Sequence, residues 1–281
     1  MRPRPSPNQA AASAAVAPAT ASTGVASETH KTLAGLDCII NSPGGDGAVD
    51  MVVIVLHGYG ATADNFSPFP ALFSRMPNSP LAGKRIGWVF PQAKPDHQGV
   101  PAWWEIDVME WMGAMQQGAS SAAGQAVLAK LIRKEFNGMP LCRETMRQLL
   151  KEVDQIFPGT GGTLPPVCFG GFSQGAMTAM DATLSAGLPD ERVIAVMMLS
   201  GAPIVVDQWA PKLKARAGKL KVLVTHGRAD PVLPFVGSGW LKDLLESSLG
   251  KAAVTYETHG GGHELGGKEN DVAKFLGSLL D

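Results

Sequence analysis

Residues 166–177 read PVCFGGFSQGAM, and within them Ser173 lies between Gly171 and Gly175 in the spacing G-x-S-x-G. A serine in that pattern, between a strand and a helix, sits on a turn so tight that a side chain two residues away on either side would clash. The turn lifts the hydroxyl clear of its surroundings, and the helix that follows directs its first amides toward it, beginning with Gln174. A serine hydroxyl is a weak nucleophile at neutral pH, so it needs a histidine base and a carboxylate to orient that base. On sheets that carry such an elbow the chain order is serine, acid, histidine. Downstream, HGRADPVLP supplies Asp230 just past a strand end, and YETHGGGHELGG supplies His263 in a glycine-rich loop past the last strand. A base must be neutral to accept the proton, so activity is expected to fall below about pH 6–7.

Other residues compete for these roles. His259 is the alternative base, four residues before His263, and His226 reads as a structural histidine on the strand that leads to Asp230. Asp207 and Asp243 are rival acids, the first several residues past a different strand and the second in mid-helix. The pair His259 and His263, followed by Glu264, invites a metal reading, but the intervening glycines make a poor rigid ligand pair, and neither metal nor cofactor is expected. Acyl transfer from serine passes through a tetrahedral oxyanion that needs about two preorganised N–H donors. The Gln174 amide is one. The loop VIVLHGYGATADNF, glycine-rich and opening a helix, offers the Tyr59 amide as the other.

Such groups must be held at the ends of strands. The runs 51–57, 85–91, 167–172, 193–200, 221–227 and 253–258 are short and almost continuously apolar, as strands covered on both faces are. Helical character falls between them, at 64–75, 123–136, 141–155, 174–186, 238–248 and 269–280. This alternation predicts an α/β fold, a mostly parallel twisted sheet with helices on both faces, whose functional groups lie beyond the carboxyl ends of the strands. Residues 157–166, FPGTGGTLPP, form a loop into the third strand.

The chain has 281 residues, 45% hydrophobic and 17% charged, with a net charge of −1. That suits one sizeable core and supplies no basic field for nucleic acid. No apolar run approaches the roughly 18 residues a membrane span requires. Three cysteines without a CxxC argue against a disulfide framework or a structural zinc site. Residues 1–32 read as an Ala/Pro/Ser-rich leader, disordered or targeting, ahead of a domain at 33–281. A cytoplasmic location is the default expectation, with organelle targeting or export through the leader as the alternative. A homodimer is a guess that the sequence leaves open.

Taken together, LHGYGATADNF, PAWWEID, GGFSQGAM, HGRADPVLP and GGGHE resemble the phospholipase/carboxylesterase family of the α/β-hydrolase fold, the branch that includes the acyl-protein thioesterases. The resemblance covers about residues 50–280. It implies a triad of Ser173, Asp230 and His263, an oxyanion hole from the amides of Tyr59 and Gln174, and hydrolysis of small or fatty acyl esters or thioesters without a cofactor. It also implies that Trp104 lies near the acyl site. A lysophospholipase-type lipid hydrolase and a non-catalytic binding module on the same fold are the rival readings. The stretch after PAWWEID is longer than the family needs. Within it Val108, Trp111, Met112 and Met115 share one face at helical spacing, which fits either a core helix or an adaptable flap at about 105–124 over an acyl pocket.

Overall fold

All six apolar runs form strands in the computed structural model, which describes residues 27–44, 48–106, 121–159 and 162–281. They are β3 (Met51–Leu56), β4 (Ile86–Pro91), β5 (Val167–Phe172), β6 (Val193–Leu199), β7 (Lys221–Gly227) and β8 (Val254–His259). All pair in parallel, and two further strands, β1 (Ser27–Leu33) and β2 (Leu36–Ser42), join antiparallel at the β4 edge. The eight-stranded order is β1-β2-β4-β3-β5-β6-β7-β8, so the strand leading to Ser173 is internal and β8, leading to His263, is the far edge.

The first strand corrects one boundary. Ser27–Thr32 fall in the segment read as a leader, yet they pair along β2, from Ser27 opposite Ser42 to Leu33 opposite Leu36. An edge strand whose residues are nearly all exposed carries no apolar signature, and SETHKTL has none.

Helices cover both faces of the sheet. α1 (Phe69–Arg75) and α7 (Glu269–Ser278) lie on one, with Phe73, Val272 and Leu276 packed on Met51, Val53 and Val55. The other face carries α2 (Ala122–Leu131), α3 (Met139–Ile156), α4 (Gln174–Ser185), α5 (Val206–Ala215) and α6 (Phe235–Leu249). There Leu128, Met146, Met177, Trp209 and Leu241 pack with Val52, Ile54 and Leu56. The period-2 pleat of β3 thus divides its apolar residues between two cores. The expected helix at 64–75 is split into a 3₁₀ turn, Ala63–Asn65, and α1, because prolines at 68 and 70 remove the amides that would continue it. No helix is expected from the sequence at α5, which carries Pro211 in its interior. Among the described residues no helix is long and apolar enough to cross a membrane.

Candidate active site

At the end of β5 the chain reverses into α4 through Ser173, whose φ of 55° lies in the left-handed region that non-glycine residues rarely occupy. The two glycines have a direct steric reason. A Cβ on Gly175 would lie 2.1 Å from the Leu56 carbonyl oxygen and 2.5 Å from that of His57. One on Gly171 would meet the Gly175 carbonyl carbon at 2.4 Å. The elbow therefore presses backbone to backbone against the end of β3, and only hydrogen fits. The Ser173 amide donates to the Leu199 carbonyl at 2.9 Å, tying the turn to β6.

The loop after β3 passes directly over the elbow: a Cβ on Gly58 would stand 3.4 Å from that of Ser173. This loop carries Tyr59, and its conformation is fixed from several directions. The buried His57 donates from Nδ1 to the Gly58 carbonyl at 2.8 Å and accepts at Nε2 from the Ala93 amide at 3.0 Å, so its tautomer is set by its partners. The Trp103 indole N–H donates to the His57 carbonyl at 2.7 Å. Gly60 donates to the Pro101 carbonyl at 2.8 Å. The Gln174 side chain is clamped as well, accepting from the Trp103 amide at 3.1 Å and donating to the Trp104 carbonyl at 2.7 Å. The sequence pointed to backbone amides of Tyr59 and Gln174 and missed this framework of His57, Trp103 and the Gln174 carboxamide. The doubled tryptophan of PAWWEID was its only trace.

Asp230 and His263 meet across the ends of β7 and β8. His263 Nδ1 donates to Asp230 Oδ2 at 2.7 Å, which leaves Nε2 as the nitrogen able to take a proton. The acid side chain is fully buried and the histidine 16% exposed. Asp230 Oδ1 accepts the amides of Val232 and Leu233, each at 2.8 Å. Burial alone would raise the Asp230 pKa, but the hydrogen bond and charge of His263, with the two amides, outweigh it and hold it below the ordinary carboxyl value. The two loops are joined by backbone hydrogen bonds, Arg228 to the His259 carbonyl at 2.9 Å and Ala229 to the Gly261 carbonyl at 3.1 Å. The Ser200 hydroxyl donates to the Glu264 carbonyl at 3.1 Å and fastens the histidine loop to β6. The Phe172 ring, next to the elbow serine, lies 4.8 Å from the His263 ring, centroid to centroid, so the Asp230–His263 pair lies beside the residue that precedes Ser173.

The competitors lie elsewhere. His259 Nδ1 accepts from the Gly261 amide at 3.2 Å and helps shape the turn. Asp207 begins α5 and pairs with Arg133 at 3.5 Å, and Asp243 is exposed on α6. His226, read as structural, is buried and faces Asp230. Trp104 is buried, its indole N–H held by the Thr178 hydroxyl at 3.0 Å and its ring stacked on Phe136 at 4.6 Å. Trp111, Met112 and Met115, with Val108, fall outside the described residues. Among the described residues no cluster of His, Cys, Asp and Glu side chains is arranged to hold a metal ion.

Comparison with known proteins gives the family and the fold. Residues 40–280 match the family model described as Phospholipase/Carboxylesterase. An acyl-protein thioesterase 1 of Candida albicans is 25% identical over 253 residues, 86% of this chain and 97% of its own. The solved structure of Zea mays acyl-protein thioesterase 2 superposes with a TM-score of 0.58 at 20% identity, covering 86% of this chain and 99% of its own. Esterase PE8 gives 0.59 at 18% identity, covering 83% and 94%; likenesses at this identity speak for the fold. The chain belongs to the phospholipase/carboxylesterase family and is a hydrolase of the carboxylesterase/thioesterase type.

Proposed function

We propose that the chain hydrolyses carboxylic esters or thioesters of small or fatty acyl groups through an acyl-serine intermediate. The observation that carries this is the 2.7 Å bond between Asp230 and His263, formed beside an elbow whose serine holds a φ of 55°. Ser173 Oγ attacks the acyl carbonyl while His263 Nε2 takes its proton. Asp230 keeps the imidazole in the tautomer with Nδ1 protonated and stabilises the imidazolium. The oxyanion faces the amides of Tyr59 and Gln174, each donor being worth a few kcal/mol. His263 then gives the proton to the leaving alcohol or thiol, and water, activated in the same way, releases the acid. Bond-making and proton transfer balance without a cofactor.

The names of the relatives support the thioester in particular. The three thiols, Cys38, Cys142 and Cys168, are all free, which supports the cytoplasmic location. The test is the hydrolysis rate of p-nitrophenyl esters from acetate to palmitate, and of a matching acyl thioester, by wild type and Ser173→Ala. Turnover by wild type alone establishes the nucleophile, and the best chain length separates a short-acyl esterase from a lysophospholipase-type enzyme. No turnover by either protein returns the chain to the binding-module reading.

A further inference from the structure

The triad carboxylate has a second imidazole against it. His226, in β7, is completely buried, and its Nε2 lies 2.8 Å from the Leu233 carbonyl oxygen and 3.3 Å from Asp230 Oδ2. A carbonyl oxygen can only accept, so this nitrogen carries the hydrogen and gives it to Leu233, with its positive edge turned toward Oδ2. We propose that His226 is a positioning residue for catalysis: its Nε2–H, bonded to the Leu233 carbonyl and facing Oδ2, holds the 230–233 loop and with it the Asp230 carboxylate in the orientation that His263 requires.

Both carboxylate oxygens are engaged. Oδ1 takes the amides of Val232 and Leu233, and Oδ2 takes the His263 N–H and has the His226 ring against its other side. Leu233 is gripped at both ends, by its amide on Asp230 and by its carbonyl on His226. The loop 230–233 thus closes into a ring in which His226 is the link to the strand. Without that link the Leu233 end of the loop loses its tie to β7, the two amides that hold Oδ1 can shift with it, and Oδ2 meets His263 at a less fixed angle.

The donor must also be uncharged, since a cation there would compete with the imidazolium that His263 becomes. The groups facing His226 are Asp230, with His263 and His259 beyond it, and the Phe235 ring from α6 at 6.3 Å. Burial pushes the His226 pKa down, against the smaller upward pull of the Leu233 carbonyl and Asp230, and keeps it neutral.

This inference rests on the triad proposed above, and two amide substitutions test it. His226→Gln places a side-chain NH₂ near the position of Nε2, whereas His226→Asn reaches only the position of Nδ1. Kinetics on the best p-nitrophenyl ester should show His226→Gln retaining most of kcat. His226→Asn should lose about tenfold, the worth of one buried hydrogen bond, with KM unchanged. The low-field proton resonance of the Asp230–His263 bond should persist in the Gln variant and shift or broaden in the Asn variant. Equal rates in the two variants, whether both high or both low, would overturn the assignment, as would an unchanged resonance in His226→Asn. If the Asn variant does not fold, His226→Leu against His226→Gln reads the same difference. Asp230→Asn run alongside keeps the two ideas apart: wild-type kcat in that variant sinks the triad, while its loss with no Gln–Asn difference sinks only the role of His226.

Discussion

Two corners of the site are built on opposite physical principles. At the elbow, backbone lies against backbone: Gly171 and Gly175 leave no room for even one carbon, and position follows from exclusion. At the corner of β7 and β8, position follows from attraction, with Asp230, His263, His226 and Leu233 placed by hydrogen bonds between groups of ordinary size. The elbow should therefore be intolerant of size and indifferent to polarity. The corner should tolerate size and be intolerant of lost donors or charge. Three glycines are exceptions at the corner: a Cβ would lie 2.1 Å from the Gly262 carbonyl oxygen on Gly227, 2.0 Å from Glu264 Oε1 on Gly261 and 2.2 Å from His259 Nδ1 on Gly266.

The sharpest test adds one carbon at the elbow. Gly175→Ala drives a methyl into two fixed carbonyls, and we expect a loss of about 3 kcal/mol or more, with Tm down by roughly 10 °C and activity abolished. A stable, active Gly175→Ala protein would break the comparison at once. The matching change at the corner alters no volume. Asp230→Asn should melt close to wild type in a calorimeter while kcat falls by about 10⁴-fold, the cost of the wrong imidazole tautomer.

A milder effect comes from pH. Burial holds both His57 and His226 below the ordinary histidine pKa, only partly offset by the Gly58 and Leu233 carbonyls. The unfolded chain takes up protons near the ordinary value of about 6.5 that the folded chain refuses. Their contribution is therefore full above that pH and is lost as pH falls below it. Thermal melts should show Tm dropping between pH 7.5 and 5.5, and less so in His226→Gln. The smallest expected effect is none. Cys168 stands five positions before Ser173 in β5, but burial pushes the Cys38 and Cys142 thiols up to about 12 and the Cys168 thiol higher still. A thiol reagent should leave the native enzyme active and unlabelled, whereas a serine-directed phosphonate should stop it.

The same contrast explains what could be read in the sequence. Steric demands leave letters: glycines two residues either side of Ser173, and apolar runs for strands buried on both faces, so the elbow and the parallel sheet were legible. Hydrogen-bonded demands leave few. His226 looks like any strand histidine, and nothing in the chain says that it faces Asp230 rather than the core. The Trp103–Gln174 clamp joins residues far apart in sequence, through a backbone amide and carbonyl that no side chain announces. β1 was lost because an edge strand needs no apolar face, and α5 because Pro211 reads as a breaker.

The strand order has one more consequence. The turn between α5 and β7 is exposed around Gly218, which holds a φ of 76°. A chain opened there would part into one fragment bearing Ser173 and the Tyr59 loop and another bearing Asp230 and His263. Among the described residues their only sheet contact would be the β6–β7 ladder, from Ala195 opposite Lys221 to Leu199 opposite Thr225. Neither fragment would hold a complete site, so ester turnover would count reassembled molecules, and the enzyme would become a reporter of whatever brings its two halves together.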